Sequence, residues 1–103
     1  MKVFEVRISQ KALNDMGGGL RIFLNSMMSE EGAVRYANAM RAEINALSIY
    51  ANFTARTTSK TLRQIHPDAR RMVSHNRRWI YIYHIEEDVV IVDRIIPAKM
   101  NKG

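Results

Sequence analysis

Between Arg56 and Arg78 the chain carries Arg56, Lys60, Arg63, Arg70, Arg71, Arg77 and Arg78 against a single acid, Asp68. That surplus equals the formal charge of the whole protein, +6 at pH 7. A positive lobe of this density attracts a polyanion, either a nucleic acid or an acidic protein. Arg63, Arg70, Arg71, Arg77 and Arg78, with Arg94 further on, are the side chains suited to clamp phosphates or carboxylates with paired N–H donors. The same run also serves as a solvated face that keeps a small protein soluble. His75, next to Arg77 and Arg78, is the side chain best suited to act as a general base beside phosphate-binding cations, although a histidine at a strand end also reads as a plain surface residue.

Other chemistry-bearing residues give weaker signals. Glu86, Glu87 and Asp88 are adjacent acids, but on a hairpin turn they point in different directions and read as a solvated turn, not as metal ligands. His84 is a strand residue that pairs with Asp93 or faces solvent, and His66 before Pro67 reads as a turn. Three scattered histidines and no cysteine leave no metal site and no cysteine nucleophile in view, and no cofactor is expected. Gly17, Gly18 and Gly19 lack both a delivering strand and a following Gly-Lys-Ser/Thr, which argues against a phosphate loop. Trp79, Tyr81 and Tyr83 recur at every second residue and so share one face. That face is a base-stacking platform beside the lobe or the core under a helix, and large rings favour the core.

The elements that position these groups follow from periodicity. Phe4, Val6 and Ile8 alternate with Glu5, Arg7 and Ser9, which predicts a strand, and Ser9 can cap the helix that follows. Ala12, Leu13, Met16, Leu20, Phe23, Leu24 and Met27 are helically spaced, with a break or hinge expected at the three glycines, which cost about 3 kcal/mol relative to alanine. Ser29 caps a second helix over Glu30–Asn52, with Val34, Ala37, Met40, Ile44, Leu47 and Ala51 on its apolar face. Phe53–Asp68 reads as a connection, part of it a short irregular strand along the sheet. Three strands close the chain: Arg70–His75, a turn at Asn76-Arg77 where asparagine tolerates a positive φ, Trp79–Ile85, the acidic turn, and Val89–Ile96. An N-terminal strand, two helices and a three-stranded antiparallel meander make an α+β domain with a helix-covered sheet.

The 103 residues suffice for one domain, 1–103, with one core. The alternating N-terminus has no apolar signal segment and no run is long enough to span a membrane, so the expectation is a soluble cytoplasmic protein.

Tyr83-His84-Ile85-Glu86-Glu87-Asp88 followed by Val89-Val90-Ile91-Val92-Asp93-Arg94-Ile95-Ile96 resembles the closing hairpin of the RelE/ParE superfamily of bacterial toxins. Members show a tyrosine-bearing strand, an acidic turn, a Val/Ile strand and then Arg-Val-Leu-His-x-Arg. The resemblance extends back over most of the chain, through a first strand ending in Ser, an Ala-Leu-x-Asp helix start at Ala12–Asp15, a second helix and the basic strand. It implies the toxin of a type II toxin–antitoxin pair, neutralised by a cognate acidic antitoxin laid over the basic sheet, and compatible with a homodimer or a toxin–antitoxin hetero-oligomer. RelE-like members cut messenger RNA on the ribosome and ParE-like members poison DNA gyrase. The fold does not choose between these targets.

Metal-independent RNA cleavage needs a base for the 2′-hydroxyl, cations for the phosphate and an acid for the leaving oxygen. By the resemblance, Lys99 stands where the family has its last Arg, Pro97 where it has His, and Ile80 where it often has another Arg. Arg94 and Tyr83 are retained, and both also read as structural, in a hairpin salt bridge and a buried ring. A nuclease would therefore rest on Lys99, His75, Arg78 and Tyr83, and proline cannot transfer a proton. The expected function is a toxin whose basic sheet binds an antitoxin and whose target is translation or gyrase. The alternatives are a ribosome-dependent endoribonuclease with a non-standard site and a small basic nucleic-acid-binding module.

Overall fold

The computed structural model describes residues 3–17 and 29–98. Among them the elements run β1 (Glu5–Ile8), α1 (Gln10–Asp15), α2 (Glu30–Asn45), α3 (Leu47–Tyr50), a 3₁₀ turn (Ala51–Phe53), α4 (Lys60–Arg63), β2 (Arg70–Val73), β3 (Trp79–Glu86) and β4 (Val89–Pro97). The strands form one sheet in the order β1-β4-β3-β2. β2, β3 and β4 make the expected antiparallel meander, and β1 adds to β4 in parallel, with Val6 opposite Val90 and Ile8 opposite Val92. Lys99, the glycines Gly18 and Gly19, and the helical run Leu20–Met27 lie outside the described residues. Among the described residues no helix is long and apolar enough to cross a membrane.

Both predicted serine caps are present. Ser9 Oγ accepts from the Ala12 amide at 3.1 Å and also donates to the Asp93 carbonyl at 2.9 Å, so one hydroxyl starts α1 and ties it to β4. Ser29 Oγ accepts from the Gly32 amide, with Glu30 and Glu31 in the first turn favourably placed against the helix dipole. The long second helix is interrupted at Ala46 and continues as α3 and the 3₁₀ turn; its apolar stripe holds at Met40, Ile44, Leu47 and Ala51, all buried, whereas Val34 is exposed.

The two faces of the central strands carry separate cores. Trp79, Tyr81 and Tyr83 pack with Val90, Val92 and Ile95 beneath α2 and α3, so the aromatic stripe is core and not a stacking platform. Ile80 and Ile82 point the other way and are covered by Leu62, Ala69 and Ile65. The cover is α4, capped by Ser59 Oγ on the Leu62 amide, and it replaces the irregular strand expected in the basic connection. Four residues with one buried side chain leave no periodic signal to read.

Burial raises the pKa of both core phenols, Tyr81 and Tyr83. For Tyr81 the Glu43 and Tyr36 charges add to burial; for Tyr83 the Thr54 hydrogen bond and Arg70 oppose it. An unfolded tyrosine ionises near pH 10, so this contribution to stability is complete below about pH 10 and is lost above it, at up to about 1.4 kcal/mol per pH unit for each phenol. Among the described residues the buried Tyr81 hydroxyl has no hydrogen-bond partner. Tyr81→Phe should therefore leave stability at pH 7 unchanged or raise it by up to about 1 kcal/mol, and should flatten the fall in Tm above about pH 10. A large loss at neutral pH would mean that the hydroxyl has a partner.

Candidate functional site

The basic lobe is built around β2, an edge strand of the sheet among the described residues, and strand alternation divides it. Arg70 lies opposite Tyr83 and Arg71 opposite Ile82, so their side chains leave on opposite faces. Arg70 Nη1 donates to the Thr54 carbonyl at 2.5 Å, on the helix-covered side, and the guanidinium is partly buried there. Arg71 shares the other face with α4, whose Lys60 and Arg63 are exposed. Arg56 is paired with Asp68 at 3.0 Å on the surface.

Arg77 and Arg78 are presented by the β2–β3 turn, and the positive φ falls on Arg77 (62°), not on Asn76. Asn76 contributes through its side chain instead: Oδ1 accepts from Ser74 Oγ and the Arg78 amide, and Nδ2 donates to Tyr36 Oη. Trp79 Nε1 donates to the same Tyr36 oxygen at 2.9 Å, and Glu43 accepts the His75 amide at 2.8 Å. Helix α2 thus holds the turn that displays His75, Arg77 and Arg78, all three exposed.

Of the residues expected to cut RNA, Lys99 lies outside the described residues, His75 and Arg78 are exposed on the β2–β3 turn, and Tyr83 is in the core. Tyr83 is fully buried and donates its hydroxyl to the Ala51 carbonyl at 2.9 Å, a core residue with no face to offer a substrate. Ile80, at a family arginine position, is also core. Pro97 ends β4 opposite Trp79. Arg94 is spent on a bidentate pair with Asp15, Nε to Oδ2 at 2.8 Å and Nη2 to Oδ1 at 3.0 Å, and Asp15 Oδ2 also accepts the Ile95 amide. The salt bridge expected within the hairpin therefore runs to α1. These hydrogen bonds raise the guanidinium's already high pKa. β1 ends opposite Val92, and from there Ser9 and Asp15 satisfy the outer edge of β4 in its place.

One cluster was not legible as a site. His84 Nδ1 lies 2.6 Å from Asp93 Oδ2, as the hairpin spacing suggested, but the turn after α4 also lays His66 flat on the His84 ring. The histidines are scattered in sequence and two of them meet in space. Only the hairpin half of this arrangement had a signal, because His66 arrives from a connection without periodicity.

No family model matches the sequence and no curated protein matches it. Among solved structures the chain is similar to one from the chromosomal ParDE toxin–antitoxin system of P. aeruginosa, with a TM-score of 0.75 at 15% identity over 92% of this chain and 96% of that one. The α+β arrangement of helices on one sheet, closed by a tyrosine-bearing hairpin, is therefore the RelE/ParE-type fold that the C-terminal sequence resembles.

Proposed function

We propose that the protein is the toxin of a type II toxin–antitoxin pair, neutralised by an acidic partner that engages the edge around β2, and that it acts without cutting RNA. The observation that carries the reading is the likeness, over 92% of the chain, to a chain of a ParDE system, joined to a basic lobe on β2, an edge strand among the described residues. Arg63, Arg77 and Arg78 are exposed, Arg71 is half-buried on the same edge, and together they supply the charge. Tyr50 and Phe53, both exposed and packed edge to face with centroids 5.5 Å apart, sit beside the Thr54 anchor of Arg70. Cations flanking exposed aromatics suit an acidic partner segment that also carries apolar anchors.

A non-nucleolytic mode is favoured because three groups an RNA-cleaving centre would use are otherwise committed: Tyr83 to the core, Arg94 to Asp15, and the general-acid position to Pro97. Gyrase is the target that fits this reading. Induced expression in a bacterial host should arrest growth, and co-expression of a small acidic protein from an adjoining reading frame should restore it and co-purify with the toxin. Undiminished growth at high expression of folded protein would refute the toxin reading.

A further inference from the structure

His84 is buried between two carboxylates on the face of the sheet opposite the main helices. Its Nδ1 lies 2.6 Å from Asp93 Oδ2 and its Nε2 3.4 Å from Glu86 Oε1. A neutral imidazole has one N–H and one lone pair. With an Nδ1–H donated to Asp93, a neutral His84 turns its Nε2 lone pair toward the Glu86 carboxylate. In that tautomer two acceptors face each other across 3.4 Å, a gap that a proton or a metal ion fills. His66 closes the arrangement from above, its ring stacked on His84 with centroids 3.6 Å apart and planes within 5°.

We propose that His84, Glu86 and His66 form a binding site for one zinc-like divalent transition-metal ion, with Asp93 orienting His84 from behind. One ligand atom from each of the three lies within 4.8 Å of the others, close enough to converge on one ion after small side-chain movements. Two imidazoles and a carboxylate are a zinc donor set, preferred by zinc, cobalt and nickel over calcium or magnesium. A carboxylate behind a ligating histidine fixes its tautomer and raises its basicity, which is the place Asp93 occupies.

Stacked rings cannot both aim in-plane lone pairs at one ion, so His66 must turn out of the stack to bind. The cost is small. Its Nδ1 accepts the exposed Asp68 amide at 3.0 Å, and that amide can turn to water when the ring moves. The ring is half-buried on a turn, and Glu86 is exposed at the end of β3. Metal binding would tie the turn after α4 to the hairpin, over the second core of Leu62, Ala69, Ile80 and Ile82. The site does not depend on the toxin reading.

The test is calorimetric titration of ZnCl₂ into untagged, chelator-treated full-length protein near neutral pH, with cobalt absorption to report the ligand field. One equivalent should bind saturably, and a hundredfold excess over the dissociation constant should raise Tm by roughly 10 °C. Glu86→Gln and His66→Ala should each weaken binding at least tenfold while the metal-free protein stays folded, and His75→Ala should bind as the parent does. If a proton alone fills the gap between His84 and Glu86, no saturable zinc binding will be seen and the proposal falls. It also falls if both variants bind as tightly as the parent.

Discussion

Replacing Arg63, Arg71, Arg77 and Arg78 together by alanine should weaken the complex with the acidic partner on the order of a hundredfold and flatten its dependence on salt. Interfacial charges that water still reaches contribute about 0.5–1 kcal/mol each, so the three exposed arginines and half-buried Arg71 together remove about 2–4 kcal/mol, and much of the loss should appear in the association rate. Arg70 is left in place because its guanidinium holds the Thr54 carbonyl, and removing it would confuse binding with folding. Equal melting temperatures for parent and variant are the control. Should the lobe bind nucleic acid directly, the same variant would lower the slope of log K against log salt by about 0.9 for each phosphate no longer neutralised. Unchanged affinity and unchanged slope would reduce the lobe to a device for solubility.

Asp15→Ala should cost about 2–3 kcal/mol, or roughly 10–20 °C in Tm for a domain of this size. The side chain accepts three hydrogen bonds, two from Arg94 and one from the Ile95 amide, and all three link α1 to β4. Besides these bonds, the Ser9 tie to β4 and Ala12, the one buried residue of the six in α1, hold the helix to the sheet. The cost stays below the sum for three charge-assisted bonds because the Arg94 side chain is 38% exposed and water screens the pair. Glu5→Gln, which breaks the exposed Glu5–Arg7 pair, should change stability by less than about 0.5 kcal/mol and is the useful contrast. Urea unfolding of both variants checks the ranking; equal effects would mean that Asp15 is only a surface acid.

Much of the fold was legible because local rules and tertiary structure agree. Alternation in Phe4–Ile8 and Trp79–Ile85, serines before two helices and an acidic turn between two apolar strands each specify an element without help from the rest of the chain. What was not legible depends on contacts between distant segments. Asp15 and Arg94 are 79 residues apart, and nothing local to either marks the bond. The parallel pairing of β1 with β4 is of the same kind. α4 escaped notice because Ser59 and Leu62 are its only signals in a run of threonines and cations. The candidate residues divide similarly. The exposed cations of the lobe are where a charge argument puts them. Tyr83 is buried in the core and Arg94 pairs with Asp15, and neither placement is marked locally, since an aromatic at period two and an arginine on a strand look the same whether they serve a core or a substrate. His66 and His84 meet only because a connection folds back across the sheet.

Growth arrest without RNA cleavage is the central expectation of the proposed function. The direct measurement is to induce the chain in a bacterial host, map messenger RNA 5′ ends, and assay purified gyrase with the purified protein. Messages should remain intact at the onset of arrest, Lys99→Ala should be as toxic as the parent, and gyrase supercoiling should be inhibited. New 5′ ends on ribosome-bound messages that disappear in Lys99→Ala, with gyrase unaffected, would contradict the account and assign the chain to the RNA-cleaving branch instead.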